Sequence, residues 1–233
     1  MAERAVVLLS GGLDSATTLG LAVEQGFEAH ALTVRYGQRH ALEVERAEAL
    51  AGQLSAASWR AVAVDLGHLV GSALTDPRTA VPQGRAAGEI ASGIPPTYVP
   101  ARNTLFLALA LGWAEVLDAG DVFIGANAVD YSGYPDCRPE FLAAFERLAG
   151  LATRAGVEGR GARIRAPLVD KTKAEIVLEA RRLGIDLTLT LSCYDPGRKG
   201  EPCERCDACS LRAKGFREAG VADPALGGGR QRG

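Results

Sequence analysis

Two groups of residues in this 233-residue chain have types and spacings that do chemistry. The first is Ser10-Gly11-Gly12-Leu13-Asp14-Ser15, which follows an apolar run over 5–9 and precedes an apolar helical pattern from Ala16. A buried strand that feeds a tight turn and then a helix is the expected local structure. Glycines let such a turn bend sharply and approach a ligand closely. The free N–H groups and positive end of the helix welcome an anion. Ser10 and Ser15 add hydroxyls, and Asp14 can hold a metal ion that bridges phosphates. The turn suits a polyphosphate, yet it matches neither GxxxxGK(S/T) nor GxGxxG. The second group is Cys193, Cys203, Cys206 and Cys209, spaced C-x9-C-x2-C-x2-C. Thiolates two residues apart on a knuckle can reach one tetrahedral metal, and four of them close its coordination sphere, as in a structural zinc site. A disulfide pair and an iron–sulfur cluster are the competing readings. The fifth thiol, Cys137, reads as a small buried hydrophobe, with a nucleophilic role as the alternative.

The elements that must position these groups alternate along the chain. Periodicity predicts strands over 5–9, 29–34, 60–65, 122–125 and 164–166, and helices over 15–25, 41–54, 103–119, 139–155 and 172–183. Alternation of this kind predicts an α/β fold, a doubly wound, mainly parallel sheet with helices on both faces, whose ligands sit beyond the strands' carboxyl ends. Residues 1–188 read as this nucleotide-binding domain, 189–220 as a zinc-binding segment packed on it, and 221–233, rich in Gly and Arg at the end, as a disordered tail. The stretch 75–96, rich in Pro, Gly and Ala, is too long for an ordinary connection and reads as a functional flap or a mobile loop. A net charge of −2 supplies no basic field for nucleic acid. The longest apolar stretch, 105–117, carries Glu115 and is too short to span a bilayer. With no signal-peptide pattern, a cytoplasmic protein without nucleic-acid or membrane partners is expected.

The turn at residues 10–15 resembles the PP-loop of the ATP pyrophosphatase superfamily, whose members adenylate a substrate and release pyrophosphate. Further stretches make the likeness specific: Tyr36-Gly37-Gln38-Arg39-His40, Tyr98-Val99-Pro100-Ala101-Arg102-Asn103, and Asp130-Tyr131-Ser132-Gly133-Tyr134-Pro135-Asp136-Cys137-Arg138. Lys173-Ala174-Glu175 and Ser192-Cys193-Tyr194 follow, and the cysteine knuckle runs on into Ser210-Leu211-Arg212. Together they resemble the 7-cyano-7-deazaguanine synthase family over roughly residues 5–217. The resemblance implies an ATP-dependent ligase that converts 7-carboxy-7-deazaguanine and ammonia to the nitrile through an adenylated acid, an amide and an adenylated amide. It implies ATP with Mg²⁺, a structural Zn²⁺ on the four cysteines, and a homodimer. Other PP-loop enzymes, a tRNA thiolase or an amide-forming synthetase, are the rival reading. A thiolase is expected to carry a catalytic cysteine pair in its core and a basic surface.

On this reading Leu9, Ser10, Gly11, Gly12, Leu13, Asp14, Ser15, Ala16, Thr17, Thr18 and Leu19 bind ATP. Asp14, Lys173 and Arg102 carry the catalysis: both cations stand at helix starts, where a positive charge is disfavoured unless an anion is met there. Arg102 can grip a phosphate or the substrate carboxylate through its planar fork. For the substrate, Tyr131 and Tyr134 can stack on a flat base, and Asp130 and Asp136 can accept from its amino and ring N–H groups. His40, Arg102 and Arg138 complete the expected substrate contacts. His30 and His68 carry no motif.

Overall fold

Alternate residues of the first strand face opposite layers, which is why its whole run is apolar. Val7 joins a core with Leu13, Ala16 and Leu19 on one side of the sheet, while Val6 and Leu8 meet Leu107, Leu111 and Phe145 on the other. A computed structural model describes residues 2–37, 42–66, 71–76, 78–90, 93–128 and 133–226.

Five strands, β1 (Arg4–Leu8), β2 (Glu28–Arg35), β3 (Ser58–Ala63), β4 (Asp121–Phe123) and β5 (Arg163–Arg165), form one sheet in the order β3-β2-β1-β4-β5. Every pairing is parallel, with Ala5 in register with both Ala29 and Asp121. Helices α1 (Leu13–Glu24), α2 (Leu42–Gln53), α3 (Ala87–Ile90), α4 (Arg102–Leu117), α5 (Pro139–Ala152), α6 (Arg154–Val157), α7 (Lys173–Arg182) and α8 (Asp207–Glu218) are the described α-helices, with short 3-10 turns over Pro135–Cys137 and Leu187–Leu189. Helices α1, α2, α7 and α8 contribute to the core on one face of the sheet, and α4 and α5 to that on the other. Strand order reverses between β1 and β4, so the crevice beyond their carboxyl ends is where a doubly wound sheet binds its ligand.

The strands lie within two residues of their expected bounds, as do four of the five expected helices. The fifth, expected over 139–155, is broken at Thr153, whose hydroxyl leaves the helix to accept the Gly156 N–H at 2.9 Å and so starts α6. Helix α8 was not among the expected helices, because its mixed run DACSLRAKGFRE has only a thin apolar stripe.

The long loop over 75–96 is anchored rather than free. Gln83 forms an antiparallel bridge with Cys206, Gly84 N–H donates to Arg205 O at 2.8 Å, and Arg85 pairs with the buried Asp207. Nor does the tail begin at 221: Asp223 is buried against Arg212, with Nε to Oδ2 at 2.7 Å. Residues 227–233 lie outside the described residues. No described helix is long and apolar enough to cross a membrane.

Candidate active site

The turn between β1 and α1 is shaped by its small residues. Gly11 has φ of +83°, and a Cβ there would sit 2.5 Å from the Glu43 carbonyl oxygen, so any other residue is excluded twice over. Ser15 Oγ accepts the Ser10 N–H at 3.1 Å and donates to Gly12 O at 3.0 Å, tying the turn to the start of the helix. Gly12 caps α1 without a side-chain bond, which leaves first-turn N–H groups for a ligand. Of the eleven residues assigned to ATP, Leu9, Ser10, Gly12, Leu13, Asp14 and Ser15 line the cavity beyond the strands. The others turn away with the helix period: Ala16 and Leu19 are core, and Thr17 and Thr18 donate to Leu13 O and Asp14 O of their own helix. Gly11 shapes the turn from behind.

This cavity, about 300 Å³, is bounded by the ends of β1, β2 and β4, the start of α4, and the segment 191–194. Lys173 is the first residue of α7, and its Nζ donates to both oxygens of Asp14, at 2.8 and 2.7 Å. Its aliphatic stem crosses Gly215 of α8, where a Cβ would collide with Lys173 Cγ. Arg102 opens α4, and its guanidinium carbon stands 5.9 Å from the ring centres of Tyr36, Phe106 and Tyr134. Burial pushes the Tyr36 phenol up, which keeps that ring uncharged beside the Arg102 guanidinium.

The loop expected to read the substrate divides between roles. Tyr134 lines the cavity, its hydroxyl 2.9 Å from Thr97 Oγ1 and 3.4 Å from the Tyr194 hydroxyl. Asp136 is turned away from a ligand: it is buried, and its Oδ2 accepts the Asn103 N–H at 2.9 Å. It thereby caps α4, whose own cap residue, Ala101, offers no side-chain bond. Asp136→Ala is expected to destabilise the fold by about 1–3 kcal/mol; a urea midpoint that does not move would exclude this capping role. Arg138 is exposed at the start of α5, away from the cavity. His40, Asp130 and Tyr131 lie outside the described residues.

Cys137 reaches the cavity wall, and Asn103 Nδ2 donates to its sulfur at 3.2 Å. Burial, helped by the neighbouring Asp136 carboxylate, pushes its thiol up to about 11, so it is neutral at pH 7. Alkylation of the Cys137 peptide by iodoacetamide, followed by mass spectrometry, should therefore be slow at pH 7.5 and accelerate with each pH unit toward 11.

Tyr36, Tyr194 and Arg212 also line the cavity, though none had been assigned a role there. Tyr36 and Tyr194 stood inside motifs, beside residues with more obvious chemistry. Arg212 is buried, bonded to Asp223 and, at 2.9 Å, to Thr190 Oγ1. The next residue, Leu191, donates its N–H to Gly11 O at 2.9 Å, linking this segment to the β1–α1 turn.

The four knuckle sulfurs lie within 4.8 Å of one another, and Cys203 and Cys209 are 3.9 Å apart. A tetrahedral site with metal–sulfur bonds near 2.3 Å needs edges of roughly 3.8 Å, whereas a disulfide needs about 2.05 Å. Backbone N–H groups of Asp195 and Cys203 point at Cys193 Sγ (3.3 and 3.2 Å), and that of Cys206 at Cys203 Sγ (3.3 Å). Such donors stabilise thiolates, so the residues fit a tetrahedral metal with no open position.

Comparison with known proteins places the chain in a family. A family model described as queuosine biosynthesis protein QueC matches residues 4–220. A 7-cyano-7-deazaguanine synthase from Anaeromyxobacter dehalogenans is 62% identical over 96% of this chain and 95% of its own. One from Azotobacter vinelandii is 58% identical over 95% of this chain and 97% of its own. Among solved structures, NMN synthetase from Francisella tularensis is 17% identical with a TM-score of 0.48, covering 98% of this chain and 79% of that one.

Proposed function

Since the chain belongs to the QueC family of queuosine biosynthesis, whose similar members are named 7-cyano-7-deazaguanine synthase, we propose that it makes 7-cyano-7-deazaguanine from the 7-carboxy acid, ammonia and two ATP. The observation that carries the reading is one cavity that joins a phosphate-binding turn to a wall of aromatic side chains holding an arginine. A carboxylate is a poor electrophile until its oxygen becomes a leaving group. Its attack on the α-phosphate of ATP forms an acyl adenylate and releases pyrophosphate. Ammonia then displaces AMP to give the amide. The amide oxygen attacks a second ATP, and loss of AMP and protons leaves the nitrile. One cavity serves both activations, because each makes the same bond to the same kind of oxygen.

In both, Ser10, Ser15 and the first-turn N–H groups of α1 grip the departing pyrophosphate, and Lys173 matches the charge that develops on it. Asp14 is the carboxylate of this turn that can share a Mg²⁺ with the phosphates; bound there, the ion neutralises phosphate charge. Cys193, Cys203, Cys206 and Cys209 hold a structural Zn²⁺, leaving no open site for chemistry at the metal. A homodimer in the cytoplasm completes the reading. The tRNA thiolase reading is disfavoured because Cys137 is the one cysteine among the described cavity residues, and the other four belong to the knuckle.

The test is mass spectrometry of a reaction containing the acid, ammonia and Mg-ATP. Amide followed by nitrile, with AMP as the nucleotide product, is expected. Absence of both products overturns the assignment, and ADP in place of AMP overturns the adenylation route.

A further inference from the structure

We infer that Arg102 reads the negative charge of the substrate's carboxylate, and so supports the acid-activating half-reaction far more than the amide-activating one. The inference rests on the acid-to-nitrile reading above and adds a division of labour between the cavity's cations.

Among the described residues, three cationic side chains line the cavity: Lys173, Arg102 and Arg212. Lys173 is held by both oxygens of Asp14, and Arg212 by both oxygens of Asp223. Among the described residues no carboxylate forms an ion pair with Arg102; it hydrogen-bonds the Tyr36 hydroxyl and lies near the rings of Tyr36, Phe106 and Tyr134. Rings hold a guanidinium in place but do not neutralise it. A half-buried cation with no carboxylate partner among the described residues gains from an anion that arrives with the ligand.

Position separates carboxylate from phosphate as that anion. The phosphate turn has its own cation in Lys173 and its own helix N-terminus in α1. Arg102 instead shares its surroundings with Tyr134 and Tyr36, the flat surfaces against which a deazaguanine ring can stack. A carboxylate on such a ring presents two oxygens near the ring's edge, the geometry a guanidinium fork accepts in parallel. Once ammonia has converted the acid to the amide, the ligand is neutral and this charge pairing is gone. The second activation then depends on the phosphate turn and Lys173, with Arg102 contributing a neutral-acceptor hydrogen bond at most.

Arg102→Met tests this, because a flexible thioether suits a box of rings and the fold should persist. Wild type and variant are compared with the acid plus ammonia and, separately, with synthetic amide, both with Mg-ATP. Binding of each compound without ATP is measured by calorimetry, and circular dichroism checks the fold. The expected result is a loss of about 100-fold or more in kcat/KM for the acid, a loss under about tenfold for the amide, and weakened binding of the acid alone. Equal losses on both substrates assign Arg102 to the triphosphate and overturn the inference, as does unimpaired use of the acid. A wild-type protein that binds the acid in an Arg102-dependent way but converts neither compound overturns the reaction and leaves the charge reading standing. One that neither binds nor converts them removes both.

Discussion

Lys173→Met should lower kcat/KM by about a thousandfold, with burst-phase pyrophosphate release lost and the fold intact. Lys173 stands at the positive end of α7, where a cation is disfavoured. The helix start is stabilised independently by the Thr172–Glu175 capping box, so the lysine is not needed to form it. Its ammonium is held 2.7–2.8 Å from both oxygens of Asp14, inside the cavity and beside the open end of α1. In the proposed reaction, negative charge grows on departing pyrophosphate where this ammonium is already oriented. Loss of one such preorganised donor costs about 100- to 1,000-fold. The upper end is expected because methionine also leaves the Asp14 carboxylate facing the phosphates without its partner. Asp14→Asn should be impaired on its own, and the double variant should lose less than the product of the two single losses, since the pair acts as a unit. Losses that multiply would separate the two residues, and a Lys173→Met loss under tenfold would remove Lys173 from the phosphate site.

Residue type and period made the sheet legible. Val6 and Val7 had to be buried on opposite faces, and the glycines after them could only be a turn, so strand, turn and helix followed from local rules. The turn proposed to bind phosphate was locally legible for the same reason, its parts being consecutive in sequence. What escaped depends on distant partners. Asp136 looked free to meet a base because nothing near it in sequence shows that α4 begins at Arg102 without a side-chain cap of its own. Arg212 stood only at the end of the cysteine-knuckle motif, and nothing in sequence showed that Asp223 and Thr190 close around it. The stretch 75–96 looked unattached because its anchors, Arg205, Cys206 and Asp207, lie more than a hundred residues downstream. Gly215 gave no signal at all, since its meaning is the lysine stem that passes over it.

Cys206→Ser, or removal of the metal by a chelator, should cost about 100-fold in kcat although no knuckle sulfur serves the cavity chemistry. Cys206 caps α8 and Cys209 lies in its first turn, so a metal held by both would fix where that helix starts. The same helix then serves the site twice. Arg212 holds Thr190, whose neighbour Leu191 donates to Gly11 O behind the phosphate turn. Gly215 forms the surface over which Lys173 runs to Asp14. Losing the metal frees a segment with little apolar surface of its own, and metal-binding energy in such segments is folding energy. An ångström of drift in Lys173 or Gly11 suffices for a hundredfold loss. Hydrogen exchange should speed up in 187–192 and 207–218 before the central strands, with elemental analysis following zinc in parallel. Gly215→Val separates the two roles of the knuckle: it should keep zinc and the exchange protection of 187–192, yet lose activity through Lys173. Full activity in the metal-free protein, or an exchange pattern unchanged by chelation, would reduce the knuckle to a remote clip.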